Sequence, residues 1–280
     1  MSNPPSFRSF SRQWMGRVAG WSCGTVRQAG AAVARLGRSA LEFLYPPTCR
    51  LCGVEIPSQA ANSEPLVFCD KCLEGLCSGA GLACLRCGAG IGPYVDPHDA
   101  CRHCRDDSFA FESVVRLGVY ENELQQAVQW GKHRGNEGVV AGLAELVWRI
   151  NGVALTQAEI DVIIPIPFHR WQALFRPHNP AEELARMWGR RLNIPVATHI
   201  LRKTRWTEKQ STLPPAQRRV NVKDAFAVVE GALPAGATVL LADDVLTTGT
   251  TAHEAARALK KSGASRVIVG VVARGLGRHS

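Results

Sequence analysis

The chain's densest chemistry lies in the segment from Val239 to Thr251. A continuously apolar run, Val239-Leu240-Leu241-Ala242, ends in two adjacent carboxylates, Asp243 and Asp244. The turn that follows carries Leu246, Thr247, Thr248, Gly249, Thr250 and Thr251 and leads into a helix-forming segment. Such a turn offers hydroxyls and backbone N–H groups at the positive end of a helix, which makes an anion site. Gly249 lets the backbone approach the anion closely. Two carboxylates beside a phosphate would repel it unless the same ligand also carries a vicinal diol, whose hydroxyls donate to carboxylate oxygens. A phosphate on one side and a diol on the other describes a ribose 5-phosphate. An ordinary capped turn, with Thr250 or Thr251 as the N-cap, leaves the acid pair unexplained. No G-x-x-x-x-G-K-[ST] run occurs, so a P-loop nucleotide hydrolase is excluded.

A second set of residues suits metal. Ten cysteines fall between Cys23 and Cys104, and none follows. Eight form C-x-x-C pairs: Cys49/Cys52, Cys69/Cys72, Cys84/Cys87 and Cys101/Cys104. Two residues between thiols let a tight turn aim both sulfurs at one tetrahedral ion, so four pairs make two four-cysteine Zn²⁺ sites. Disulfides need an oxidising compartment, and the basic N-terminus has no apolar core of a signal peptide. Known ferredoxin spacings do not match either. The spacing leaves open how the four pairs are shared between two ions. Four thiolates close each site, so the expected role is structural, with the metals supplying folding energy to a small module. The intervals Gly53–Phe68 and Gly88–Ala100 are each long enough for a short β-hairpin, which predicts two zinc ribbons in series.

These groups need a scaffold, and the pattern of apolar residues describes one. Strands are expected over Val114–Tyr120, Asp161–Ile164, Phe226–Val229, Thr238–Ala242 and Arg266–Ala273. Helices are expected over Glu123–Lys132, Val139–Ile150, Pro180–Leu192 and Thr250–Lys261. Alternation of this kind implies an α/β fold with a parallel sheet flanked by helices. Ligands then bind at the carboxyl ends of the strands, where the acid pair falls. The expected organisation is a basic N-terminal extension over 1–44, the zinc module over 45–108 and the α/β domain over 109–280.

Composition narrows the class. Of 280 residues 46% are apolar, enough for a buried core, so wholesale disorder is excluded. The longest aliphatic runs, such as Val267–Ala273, fall far short of the roughly 18 residues of a membrane span. A net charge of +9 favours an anionic partner without choosing among phosphate, nucleic acid and membrane. Residues 1–41 hold six arginines and no acid, with Trp14, Val18, Trp21, Ala29, Ala32 and Leu36 at helical spacing. Glycines weaken that helix, and a poorly ordered extension is preferred over a membrane- or nucleic-acid-binding arm. Residues 202–223 place Arg202, Lys203, Arg205, Lys209, Arg218, Arg219 and Lys223 against Glu208 alone. Phe168, Arg170, Trp171, Phe175, Arg176, Arg205 and Trp206 interleave rings with cations, a texture that suits single-stranded nucleic acid and core packing alike.

The segment Val239–Thr251 resembles the phosphoribosyl pyrophosphate (PRPP) signature of type I phosphoribosyltransferases. The C-x-x-C pairs, Ile164-Pro165-Ile166-Pro167-Phe168-His169-Arg170, the spacing Thr207-x-x-Gln210-x-x-Leu213, and Arg218 with Asn221 resemble the competence protein F (ComF) family. The resemblance covers about residues 45–275. It implies a type I phosphoribosyltransferase-like sheet preceded by the zinc module. It assigns the ribose hydroxyls to Asp243 and Asp244, the candidate catalytic pair, and PRPP binding to Leu246, Thr247, Thr248, Gly249, Thr250 and Thr251. The pyrophosphate loop becomes Pro167, Phe168, His169 and Arg170, and the mobile loop carries Arg202, Lys203, Arg205, Gln210 and Arg218. Where the family commonly has Arg-Gly-Phe-Asn-Gln, this chain has Arg176-Pro177-His178-Asn179-Pro180, and proline removes N–H groups there.

The expected function is Mg²⁺-dependent transfer of a phosphoribosyl group from PRPP to an acceptor that no residue identifies, linked by resemblance to natural competence and DNA uptake. The alternative is a non-catalytic scaffold that binds PRPP or single-stranded DNA. Partners under either reading are PRPP, single-stranded DNA, DNA-uptake proteins and, through residues 10–41, a membrane surface. The implied location is cytoplasmic, with membrane association through that arm.

Overall fold

The computed structural model describes residues 46–56, 67–168, 178–205 and 222–276. The arm over 10–41 lies outside them. From Thr48 onward the chain forms one compact unit.

The expected parallel sheet flanked by helices is present. Its centre is β6 (Thr238–Leu246) and β7 (Arg266–Arg274), parallel from Thr238 opposite Arg266 to Leu246 opposite Arg274. β3 (Val162–Pro165) pairs with the other edge of β6. β1 (Ser113–Val115) and β2 (Gly118–Val119) lie in succession along the outer edge of β7. Both faces are covered, which is why these strands read as unbroken apolar runs. Leu240, Ile268 and Val272 face α2 (Asn122–Gly131), α3 (Glu137–Gln157) and α4 (Pro180–Leu192). Val239, Leu241, Val267 and Val269 face α5 (Thr250–Lys261).

Helix ends follow local chemistry. Asn179 caps α4, its side chain accepting from Ala181 N at 3.2 Å, and Pro180 occupies the first turn, where a missing N–H costs nothing. That proline, one of the departures from the family pattern, is thus a helix start. Asn193, at φ 55°, ends α4 in the left-handed region. α3 is long and apolar enough to cross a membrane by length and composition, yet Val139, Val140, Leu143, Ala144 and Val147 are buried in the core.

The cysteine module is described only in part, because residues 57–66, most of the first expected hairpin, lie outside the described residues. Its described residues hold no hairpin strands; they hold α1 (Asp70–Cys77) and two isolated bridges, Thr48 with Glu55 and Ala83 with Gly90. Cys49, Ile56, Phe68 and Leu76 join the core beneath α2 and α3, so the module's order comes from its sulfurs and this shared core. The single strand expected over Val114–Tyr120 is also broken. Buried Arg116 sits at the break and donates from Nη1 to Gly79 O at 2.7 Å and from Nε to Gly88 O. Finally, β4 (Leu201–Lys203) and β5 (Phe226–Val228) pair antiparallel and form the base of the basic loop.

Candidate functional site

Asp243 and Asp244 lie within β6, near its carboxyl end, because β7 keeps pairing past them. Asp244 N donates to Asp243 Oδ1 at 2.9 Å. Lys132, just after α2, places Nζ 2.8 Å from Asp244 Oδ2. Burial works against the Lys132 charge, but Asp244 and, more weakly, Asp243 outweigh it and hold the ammonium above its ordinary pKa. Burial raises Asp243 well above the usual carboxylate range, and the Asp244 charge adds to the rise. Lys203, at the end of β4, is pulled below its ordinary value by burial, with the Asp243 charge opposing. The pair thus sits between two cations from distant parts of the chain.

The turn has the form expected of an anion site. Gly249 is the N-cap of α5, at φ 77°, and brings no side chain to cap the helix; the nearest acceptor is Thr248 Oγ1, which takes a long hydrogen bond of 3.5 Å from Thr250 N. The first turn carries no acid, so its amides meet no competing charge. Thr248 Oγ1 and Thr250 Oγ1 share a hydrogen bond of 2.7 Å. An ordinary side-chain N-cap by Thr250 or Thr251 is therefore absent.

The structure brings the start of the expected pyrophosphate loop to the same end of the sheet. Pro165 pairs with Ala242, and Ile166 N donates to Ala242 O at 2.8 Å, so Pro167 and Phe168 leave the sheet beside Asp243. Asn179 Nδ2 donates to Ile166 O at 3.2 Å and ties α4 to this loop. Of the cations expected in a mobile loop, Lys203 feels the charge of Asp243, whereas Arg202 is exposed on β4 and Arg205 Nη2 donates to Lys223 O at 2.7 Å. His169, Arg170, Arg176, Pro177, Gln210 and Arg218 lie outside the described residues.

The eight paired cysteines gather in sequence order as Cys49, Cys52, Cys69 and Cys72, then Cys84, Cys87, Cys101 and Cys104. Tetrahedral Zn²⁺ with sulfurs at about 2.3 Å sets sulfurs about 3.8 Å apart. The structure has Sγ–Sγ distances of 3.6 Å for Cys52–Cys69, 3.8 Å for Cys84–Cys104, 3.6 Å for Cys87–Cys101 and 3.9 Å for Cys101–Cys104. Both clusters therefore fit zinc, and no pair is at disulfide length. Each opens with the same knuckle: Gly53 N donates to Cys49 O and Gly88 N to Cys84 O, and both glycines have positive φ. Burial opposes ionisation of Cys49, but backbone N–H groups from Cys69, Cys52 and Leu51 pull it down to about 6. Burial and neighbouring thiolates push Cys87 far up. Four thiols this close can all ionise only around a cation. Cys77 stays outside the clusters, and Cys23 lies outside the described residues.

Sequence reasoning missed Lys132, Arg116 and Arg274. Lys132 stands between Gly131 and Gly135, and a polar residue in a glycine-punctuated loop at a helix end was its one available signal. Nothing local marks the two arginines.

Raising Asp243 has a consequence for stability. Its protonated form is the one the fold favours, so that contribution is full below the ordinary carboxylate pKa and is lost as pH rises through the raised value. Relative to Asp243→Asn, the natural unliganded chain is expected to lose stability as pH rises above about 4. Urea unfolding of both proteins across pH checks this; a constant difference would contradict it.

Comparison with known proteins follows this geometry. A family model described as "Phosphoribosyl transferase domain" matches residues 180–279, from α4 through β7. "Competence protein F" of Haemophilus influenzae is 30% identical over 212 residues, covering 72% of this chain and 91% of that protein. "DNA utilization protein YhgH" of Escherichia coli O157:H7 is 27% identical over 217 residues, covering 72% and 91%. Among solved structures, a glutamine PRPP amidotransferase from B. subtilis aligns at 20% identity with a TM-score of 0.33, covering 52% of this chain and 30% of that one, too partial to carry weight.

Proposed function

The chain belongs to the competence protein F family, and from that premise we propose that it binds PRPP with Mg²⁺ at the end of β6 and transfers the phosphoribosyl group to an acceptor in DNA uptake or utilization. One observation carries the reading: a carboxylate pair, attended by Lys132 at 2.8 Å, runs within a few residues into a helix N-terminus whose N-cap is a glycine in the left-handed region. In this reading the ribose hydroxyls donate to Asp243 and Asp244. The 5-phosphate accepts from the amides and hydroxyls of Thr247–Thr251. The diphosphate faces the loop of Pro167, Phe168, His169 and Arg170.

The chemistry follows from where charge moves. The bond from C1 of the ribose to the diphosphate breaks, and the leaving group takes the electron pair. A cation that gains more from the departing diphosphate than from the bound substrate lowers the barrier. Lys132, held charged beside Asp244, is suited to that task. Asp243 and Asp244 would offer Mg²⁺ the hard oxygen donors it prefers, and the ion would supply further neutralisation of the diphosphate. In this reading the chain between β4 and β5, which carries Arg202, Lys203, Arg205, Gln210 and Arg218, supplies the cations that would shield the cationic sugar from water. Zinc in the clusters is structural. The location is the cytoplasm, where such thiols stay reduced.

Calorimetry with Mg²⁺-loaded PRPP tests the reading. The natural chain is expected to bind saturably, and Asp243→Asn/Asp244→Asn to bind at least about a hundredfold more weakly, since each hydrogen bond to a charged group contributes about 1.5–3 kcal/mol. Pyrophosphate release then separates a transferase from a silent binder. No binding by the natural chain at millimolar PRPP would overturn the proposal in favour of a scaffold that contacts single-stranded DNA or uptake proteins.

A further inference from the structure

Arg274 is the last residue of β7 and is only 6% exposed. Its Nε donates to Cys87 O at 2.7 Å. Its Nη1 donates to Leu246 O at 3.0 Å, and also to Thr247 O and Gly275 O. One rigid guanidinium thus spans from a cysteine of the second cluster to the first two residues of the anion turn. Gly275 N donates back to Leu246 O at 2.8 Å, and the next residue, Leu276, packs on the second cluster.

Two further contacts join the same places. Phe109 also packs on the second cluster, and its ring edge supports the turn so closely that a Cβ at Gly249 would lie 3.0 Å from Phe109 Cε1. Arg116, 5% exposed, donates to Gly88 O in the knuckle beside Cys87. A loaded four-thiolate zinc site carries a net charge of about −2, and it faces these two buried guanidinium groups. The first cluster has a different setting: its knuckle lines one cavity together with Trp130, Asn136 and Val139, at the junction of α2 and α3.

We propose that Arg274 is a positioning residue that couples metal at Cys84, Cys87, Cys101 and Cys104 to the shape of the anion turn. Metal in the second cluster then tightens binding of the phosphorylated ligand, and the ligand in turn holds that metal, because coupling between two sites is reciprocal. The inference rests on the proposed PRPP site. The carbonyl of Cys87 is fixed by the loaded knuckle, the guanidinium plane is fixed by that carbonyl, and the turn's two carbonyls are fixed by the guanidinium. Release of the metal frees the first of these and loosens the others.

Zinc release from the natural chain to a metallochromic dye, with and without Mg²⁺-loaded PRPP, tests it. Two phases are expected, and Cys52→Ser, which opens the first cluster, assigns them. PRPP is expected to slow the second cluster's phase about tenfold and leave the first unchanged. Arg274→Met is expected to lose that slowing; a residue that only supported the fold would not make zinc release depend on the ligand. Should Arg274→Met fail to fold, Arg274→Lys keeps the charge without the fork and is expected to lose the slowing too. PRPP that binds by calorimetry yet leaves both phases unchanged overturns the coupling and spares the binding site. Slowing that survives in the folded variant overturns the role of Arg274. Absence of PRPP binding in the natural chain overturns the site and this inference together.

Discussion

Protein purified under reducing conditions is expected to carry two zinc ions per chain, and stripping both is expected to remove its cooperative unfolding transition. The module's described residues hold one eight-residue helix and isolated bridges, so regular secondary structure contributes little to its order. Structural zinc contributes on the order of 10 kcal/mol per site, comparable to the whole stability of an ordinary domain. The loss does not stay local. Cys49, Ile56, Phe68 and Leu76 share one core with α2 and α3. The approach is close: a Cβ at Gly142 on α3 would lie 2.3 Å from Val67 Cγ2 and 2.7 Å from the Phe68 ring. Scanning calorimetry with and without a strong chelator reads the effect, and the chelated protein is expected to show no cooperative transition. A metal count near zero in anaerobically purified protein, with a normal transition, would contradict it.

Trp188→Ala is expected to cost about 3–5 kcal/mol without touching the candidate site. Trp188 is fully buried on α4, and its Nε1 donates to Ala144 O on α3 at 3.0 Å. On its other side the ring lies on β7 at Gly270, where a Cβ would come within 2.8 Å of Trp188 Cζ3. One side chain therefore seats α3 and α4 on the centre of the sheet, and its removal leaves a cavity that three elements line. Urea unfolding measures the loss. A cost below about 1 kcal/mol would mean that the helices collapse onto the gap and that this contact is not the one that seats them.

Both results depend on features that were unequally legible. α4 and α5 have the limits that their sequence predicts, because Asn179-Pro180 and the turn at Gly249 start them by local chemistry. β6 runs to Leu246, past the predicted end at Ala242, because β7 offers backbone partners beyond the acid pair. α3 continues past Ile150 through Asn151-Gly152, a pair that reads as a stop. There Asn151 Nδ2 donates to Arg116 O and to Val147 O, both at 3.0 Å, and the helix proceeds. The strand expected over Val114–Tyr120 breaks for the opposite reason: Arg116 turns inward to carbonyls of the cysteine module.

Groups whose chemistry is written in adjacent positions were legible along the chain. The acid pair, the Thr-Thr-Gly-Thr turn and the C-x-x-C pairs each need only two to five residues in order, and local geometry then aims them. The tertiary structure alone decided what faces those groups. Lys132 reaches Asp244 from the end of α2 because that helix packs against β7, the neighbour of β6, and Arg274 reaches Cys87 because β7 ends beside the second cluster. A buried charge is compensated by whatever the fold brings within about 3 Å, and no spacing along the chain encodes a partner more than a hundred residues away.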